Sequence, residues 1–415
     1  MSSTVTPHAR HSARDSRRNL GRRAGIAVLA VVLFLVSGAC IALWDLQHQV
    51  NRVDVSSMLG TDRPTRAATA DSYKGQAVNI LVLGSDSRQG DNDVDGSAET
   101  ETVARSDTAM VMHVSADRKR IDIVSIPRDT LVEVPDCTSS DGSTVSGSDS
   151  EMFNQAFANG AGTDDDENAI AAGAACTIKT VETLTGVYID EYMVVDFDGL
   201  SNMIDALGGV KVYVTEDIDD ADYTGLVLKK GCYLMDGATA LKYARVRHGV
   251  GDGSDIQRIT RQQNLMSAML RTAKEKNLLT NADDLYSFAK SALASLTTSP
   301  GIGSLSTLAG LAQSIQDIGM DKVNFVTMPN EAPDWNPNRV VPTDEADEVW
   351  AALKVDKAVP AQTVSVAADG STPSAQATPS ASAEDAQTAE AAATTAAPAA
   401  ASTTKATEDP AAQCH

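Results

Sequence analysis

Histidine is scarce in this chain, with six in 415 residues. Only His113 and His248 fall in the part that reads as folded, so a histidine-based triad has little material. The five cysteines form no CxxC pair and no His/Cys set with zinc-ligand spacing. Positive charge is also short. Lys and Arg total 34 against 56 Asp and Glu, a formal net charge of -22. An acidic chain of this kind is not built to coat nucleic acid. Apolar stretches of membrane-crossing length are limited to residues 24–44, AGIAVLAVVLFLVSGACIALW, which carry no charge. No internal repeat is found.

That apolar run sets the expected layout. Residues 1–23 hold six arginines and one acid. They predict an inside N-terminus, a single-pass anchor over 24–44 and everything after Trp44 outside the cell membrane. A cleaved signal peptide is the alternative. The run is long for one, however, and no small-residue cleavage site follows it. Residues 45–76 read as an extracytoplasmic linker and 77–355 as the folded α/β domain with a helical C-terminal part. Residues 356–415 are rich in Ala, Thr, Ser and Pro and read as a disordered tail, either a wall-spanning spacer or a dispensable end. An exported chain can form disulfides. Cys137 and Cys176 border one polar loop and are the expected pair, which leaves Cys232 over.

Within the domain, VNILVLG from Val78, DTAMVMHVS from Asp107 and IDIVSIP from Ile121 read as buried strands. Tyr192–Phe197, a helix capped by Asp198 and running to Leu207, and Val210–Val214 read as a strand–helix–strand unit. The fold expected is α/β, a central mixed sheet flanked by helices on both sides. Acid and arginine recur at the strand ends: Asp86 with Arg88, Arg105 with Asp107, and Arg128 with Asp129. The densest concentration is Tyr243–Gln263, YARVRHGVGDGSDIQRITRQQ, holding Arg245, Arg247, Arg258 and Arg261. Arginine forks suit phosphate oxygens. Asp255 looks like the cap of a helix that carries Arg258, Arg261 and Gln262 on neighbouring faces. Surface salt bridges with the many acids are the bland alternative. Metal-assisted phosphate chemistry would take Asp86 and Asp107 as carboxylate ligands, and the arginines would neutralise the phosphates.

In order along the chain, NILVLGSDSR, RSDTAMVMHVS, IVSIPRDT, TVETLTGVYIDEYMVVDF, LSNMIDALGGVKV, LMDGATALKYARVR and DIQRITRQQ resemble the LytR-CpsA-Psr family over about residues 78–275. The resemblance implies a membrane-anchored phosphotransferase of Gram-positive cell walls. Such an enzyme moves a glycopolymer from a polyprenyl-pyrophosphate carrier to peptidoglycan, with the lipid held in an apolar pocket. Carried over by motif, the aspartates for magnesium, or manganese in its place, are Asp86 and Asp107. The pyrophosphate arginines are Arg88, Arg105, Arg128, Arg245, Arg247 and Arg258, and Gln262 belongs to the same site. Arg128, Arg245 and Arg247 would act in transfer. Asp129, directly after Arg128, reads first as a residue that orients that arginine or caps a turn, with a general base as its other role. Two positions depart from the family pattern. Gln257 stands where a glycine is usual before the helix arginine, and Met152-Phe153-Asn154 replaces a lysine–isoleucine–asparagine run. A binding module that holds the lipid or a wall glycan without turnover, and a pyrophosphatase that releases the glycan to water, are the rival readings.

Overall fold

The computed structural model describes residues 50–64, 75–85 and 105–368, apart from 165, 252, 279–281, 295, 304–306, 308–309 and 311–317, together with Cys414 and part of 29–48. Met1–Gln49 and Val50–His415 form two separate compact units. In the first unit the described residues between 29 and 48 are helical. Among the described residues no helix is long and apolar enough to cross a membrane. Much of the expected anchor at 24–44, and all of 1–23, lies outside them.

The second unit is an α/β fold. Its main elements are β1 (Asn51–Arg52), α1 (Ser56–Leu59), β2 (Val78–Ser85), β3 (Ser106–Val114), β4 (Ile121–Ile126), α2 (Gln155–Ala161), α3 (Glu167–Thr185), β5 (Glu191–Val195), α4 (Phe197–Ala206), α5 (Gly237–Arg245), α6 (Asp255–Glu275), α7 (Ala282–Ala294), β6 (Leu296–Thr298), β7 (Val323–Thr327), α8 (Asp344–Lys354) and β8 (Val364–Ala367). The sheet order is β1-β6-β5-β2-β3-β4-β7-β8. It is mixed: β2–β3 and β3–β4 are antiparallel, while β5–β2 and β4–β7 are parallel.

Side-chain alternation along the central strands feeds two cores. Leu81, Leu83, Val111, Val124 and Ile126 join α3 and α8 through Ile178, Val181, Val349 and Trp350 on one face. Met110, Val114, Ile123 and Phe325 meet Met266 and Leu270 of α6 on the other. Helices thus cover both faces, as an apolar sheet of this kind requires.

Four expectations differ from the structure. The linker assigned to 45–76 is in part folded. β1 pairs parallel with β6, and Arg63 holds Glu182 with two nitrogens at 2.9 and 2.6 Å while donating to Tyr188 Oη and Ile189 O. That fork gives the preceding chain a bidentate, half-buried attachment to α3. The domain also continues beyond 355. β8 adds an edge strand to β7, and Asp356 accepts from His113 Nε2 at 3.0 Å and from Ala116 N at 3.0 Å. The expected strand–helix–strand unit is not one sheet, because Val210–Val214 pairs with Gly231–Met235 in a separate hairpin. Finally, α4 is capped by Asp196, which accepts from Gly199 N, and not by Asp198. Cys137 is bonded to Cys176, with Cα atoms 5.3 Å apart, and Cys232 is bonded to Cys414.

Candidate active site

The antiparallel register of β3 and β4 sets Ala109 opposite Ile126, so Asp107 at the start of β3 lies beside Arg128 just past the end of β4. α6 is fastened to the same sheet end from within. The fully buried Gln263 donates to Ser125 Oγ at 3.0 Å and Thr327 Oγ1 at 3.3 Å, tying the helix to β4 and β7. Its first turn therefore reaches Asp107: Arg258 Nη2 donates to Asp107 O at 2.9 Å, and Nη1 lies 3.3 Å from Asp107 Oδ2. The other Asp107 oxygen is held by Arg128 Nη1.

A second carboxylate completes the cluster. Asp255 Oδ1 lies 2.5 Å from Arg258 Nη2, 3.4 Å from Arg247 Nη2 and 3.6 Å from Arg128 Nε, and Oδ2 accepts from Arg128 N at 3.3 Å. Asp255 is therefore not the helix cap. Ser254 takes that place, accepting from Gln257 N at 3.4 Å, and Asp255 is freed to bridge three guanidiniums. Its spacing of three residues before Arg258 was the available sequence signal, since such pairs meet on a helix surface. The loop that returns Arg247 to this point needs glycine. Gly249 has φ +61°, and a Cβ there would lie 1.7 Å from Asp219 O.

The electrostatics follow from packing. Burial alone would raise the Asp107 carboxyl, but the positive charges of Arg258 and Arg128 outweigh it and hold it below the usual carboxylate range. Burial lowers Arg247, and its neighbours Arg258 and Arg128 push the same way. Burial also opposes the charge on Arg128, yet Asp107 raises it overall. Arg128 Nε and Arg258 Nε are buried donors without a hydrogen-bond partner among the described residues. Donors of this kind suit an incoming anion.

The remaining expected site residues distribute as follows. Arg245 ends α5 with Cζ 4.6 Å from the centre of the Phe197 ring. Arg105 is exposed directly before β3. Asp129 is partly exposed, with Oδ2 3.8 Å from Arg128 Nε. Gln262 Nε2 donates to Ala244 O at 3.5 Å and Arg261 Nη2 to Val246 O at 2.5 Å, so both hold the end of α5 and the turn after it. Asp86 and Arg88 lie outside the described residues. Among the described residues no group of three or more His, Cys, Asp or Glu could hold a metal. Asp107 supplies one oxygen-donor carboxylate of the type a hard cation takes, already engaged by two guanidiniums.

A family model, that of the LytR_cpsA_psr family, matches residues 44–355. The chain belongs to the LytR-CpsA-Psr family. Among its relatives, the probable cell wall biosynthesis protein LcpB of Corynebacterium glutamicum is 33% identical over 287 residues, 68% of this chain and 59% of LcpB. The chain thus spans about three-fifths of that relative's length. The polyisoprenyl-teichoic acid–peptidoglycan teichoic acid transferase TagT of Bacillus subtilis is 27% identical over 324 residues, 75% of this chain and 90% of TagT. The solved LytR-Csp2A-Psr enzyme from Actinomyces oris superposes with a TM-score of 0.52 at 22% identity, covering 74% of this chain and 96% of that one. That last likeness is one of fold. The arginine and aspartate cluster at the sheet end of this LytR-CpsA-Psr chain lies wholly within the matched span.

Proposed function

We propose that this chain transfers a glycopolymer from a polyprenyl-pyrophosphate carrier to peptidoglycan, outside the cell membrane and anchored to it by residues 24–44. The observation that carries the reading is the convergence of Arg128, Arg247 and Arg258 on Asp107 and Asp255, with two buried guanidinium nitrogens left to donate. A relative of matching span is named a teichoic acid–peptidoglycan transferase.

In this reading an acceptor hydroxyl attacks the phosphorus next to the glycan. A new P–O bond forms, the bond to the bridging oxygen breaks, and polyprenyl phosphate leaves with that oxygen. The hydroxyl proton passes to a base at the partly exposed edge of the site, for which Asp129 is the candidate. Arg128, Arg247 and Arg258 neutralise the pyrophosphate and the charge that spreads in the transition state, while Arg88, Arg105 and Arg245 would extend the same grip. Asp255 keeps the guanidiniums in place. Asp107, with Asp86, would hold magnesium or manganese, which when bound lowers the charge on the pyrophosphate.

The test is to supply the full-length protein with lipid-linked glycan and purified wall acceptor and to identify the covalent product. Glycan joined to peptidoglycan through a phosphodiester is expected. Free glycan in water would replace the transferase with a pyrophosphatase. Lipid binding with neither product would leave a binding module.

A further inference from the structure

A hairpin stands beside Asp129 that the phosphate cluster leaves unused. Asn330–Glu331 pairs with Val341–Pro342, and residues 332–340 form its loop. The base of the hairpin is fixed to the site. Leu131 N donates to Val340 O at 2.9 Å, Val340 N donates to Asp129 O at 3.4 Å, and Thr130 bridges Val340. The tip is fixed as well. Asn336 N donates to Pro333 O at 2.9 Å, Arg339 N to Asn336 O at 3.1 Å, and Asn338 N to Asn336 Oδ1 at 3.3 Å.

On this fastened frame Trp335 is 70% exposed, whereas Trp350 in the core is 2% exposed. Single exposed apolar side chains are ordinary and by themselves mean little. Trp335 differs in its company and its place. Asp334, Asn336, Asn338 and Arg339 surround it in sequence, so one short, ordered loop offers an aromatic face together with carboxylate, amide and guanidinium groups. Sugar rings present that same pairing, C–H faces bordered by hydroxyls that both donate and accept. The loop also lies within reach. Val340 at the site is five residues on from Trp335, at most about 17 Å of extended chain.

We propose that Trp335 is the platform on which a sugar ring of the acceptor glycan stacks, with the neighbouring polar side chains binding its hydroxyls. The proposal rests on the transferase reading for the identity of the glycan. It gives that reaction a hold on its second substrate that needs no phosphate. The guanidinium cluster grips the donor, and the hairpin presents the acceptor hydroxyl from the Asp129 side.

The experiment measures binding, so its outcome is separable from turnover. Full-length wild type, Trp335→Ala and Trp335→Phe are sedimented with peptidoglycan sacculi stripped of attached polymer. Inorganic pyrophosphate affinity and melting temperature serve as controls for the donor site and the fold. Trp335→Ala should weaken sacculus binding about tenfold, with Trp335→Phe close to wild type and both controls unmoved. Wild-type retention of sacculi by Trp335→Ala would overturn the proposal, as would no retention by the wild type. A parallel fall in pyrophosphate affinity or melting temperature would make Trp335 structural. Loss of binding to phospholipid vesicles but not to sacculi would make it a membrane contact. If Trp335→Ala loses sacculi in a protein that shows no transfer, the platform stands and the transferase reading falls. Unchanged sacculus binding in an active transferase gives the reverse.

Discussion

Replacing Asp255 by asparagine keeps the side chain's shape and removes its charge. The described cluster then changes from three arginines and three aspartates, Asp107, Asp129 and Asp255, to a net positive group. Asp255 is 10% exposed and its partner Arg258 is 3% exposed. Removing one member of a buried ion pair costs roughly 3–5 kcal/mol, because the other charge is left uncompensated. Asp107 still faces Arg258 and Arg128, so the cost here should be lower, roughly 2–3 kcal/mol. In a domain of this size that is a fall in melting temperature of about 3–5 °C. A second consequence has the opposite sign. Pyrophosphate returns negative charge to the same guanidiniums, so it should raise the melting temperature of Asp255→Asn by more than that of wild type. Melting of both proteins by circular dichroism, with and without inorganic pyrophosphate, reads both effects. A variant that melts with wild type in the absence of ligand, or gains less from pyrophosphate than wild type, would refute the bridging role of Asp255.

Asp107 should make stability depend on pH. Its carboxyl is depressed in the folded state, so its contribution is complete above the unfolded value of about 3.9 and is lost as pH falls below that toward the folded value. The stability difference between wild type and Asp107→Asn in urea should therefore shrink below about pH 4, and a constant difference would argue against it. The Cys137–Cys176 bond spans a sequence separation of 39 residues, and replacing both by alanine should cost about 4 kcal/mol in denaturant melts if chain entropy dominates. Non-reducing peptide mapping should recover both this pair and Cys232–Cys414. Ending the chain after 355 removes β8 and the Asp356 contacts, whereas ending it after 370 keeps them. Compared in a Cys232→Ser background, only the shorter chain should lose several degrees of melting temperature; equal melting would show that β8 contributes nothing.

The central strands were legible because their signal is local. VNILVLG and IDIVSIP are short apolar runs closed by glycine or proline, and both are buried strands. The arginine concentration was legible for the same reason, as guanidinium density stands out in an acidic chain. What escaped depends on distant partners. β1 is Asn51-Arg52, two polar residues with no strand pattern, and pairing with β6 alone makes it a strand. In Val364–Ala367 two valines alternate with small residues inside a low-complexity stretch, and the open edge of β7 recruits them. Asp255 satisfied the local rule for a cap, and only the tertiary approach of Arg128 and Arg247 reveals what its carboxylate does. Helix spacing set Arg261 and Gln262 beside Arg258, and the family motif placed Gln262 in the same site. Their side chains donate to Val246 O and Ala244 O at the end of α5, a contact that spacing along one helix does not reveal.

The bond between Cys232 and Cys414 changes what kind of object the C-terminal segment is. A tail leaving the sheet at Ala368 with a free end could extend about 160 Å, at roughly 3.5 Å per residue. Returned covalently to the hairpin at Cys232, the same polypeptide is a handle with both feet on the domain, and no point on it can stand farther than about 80 Å away. A protease cutting that handle once would leave every residue still attached, and its cleavage would become visible only after reduction.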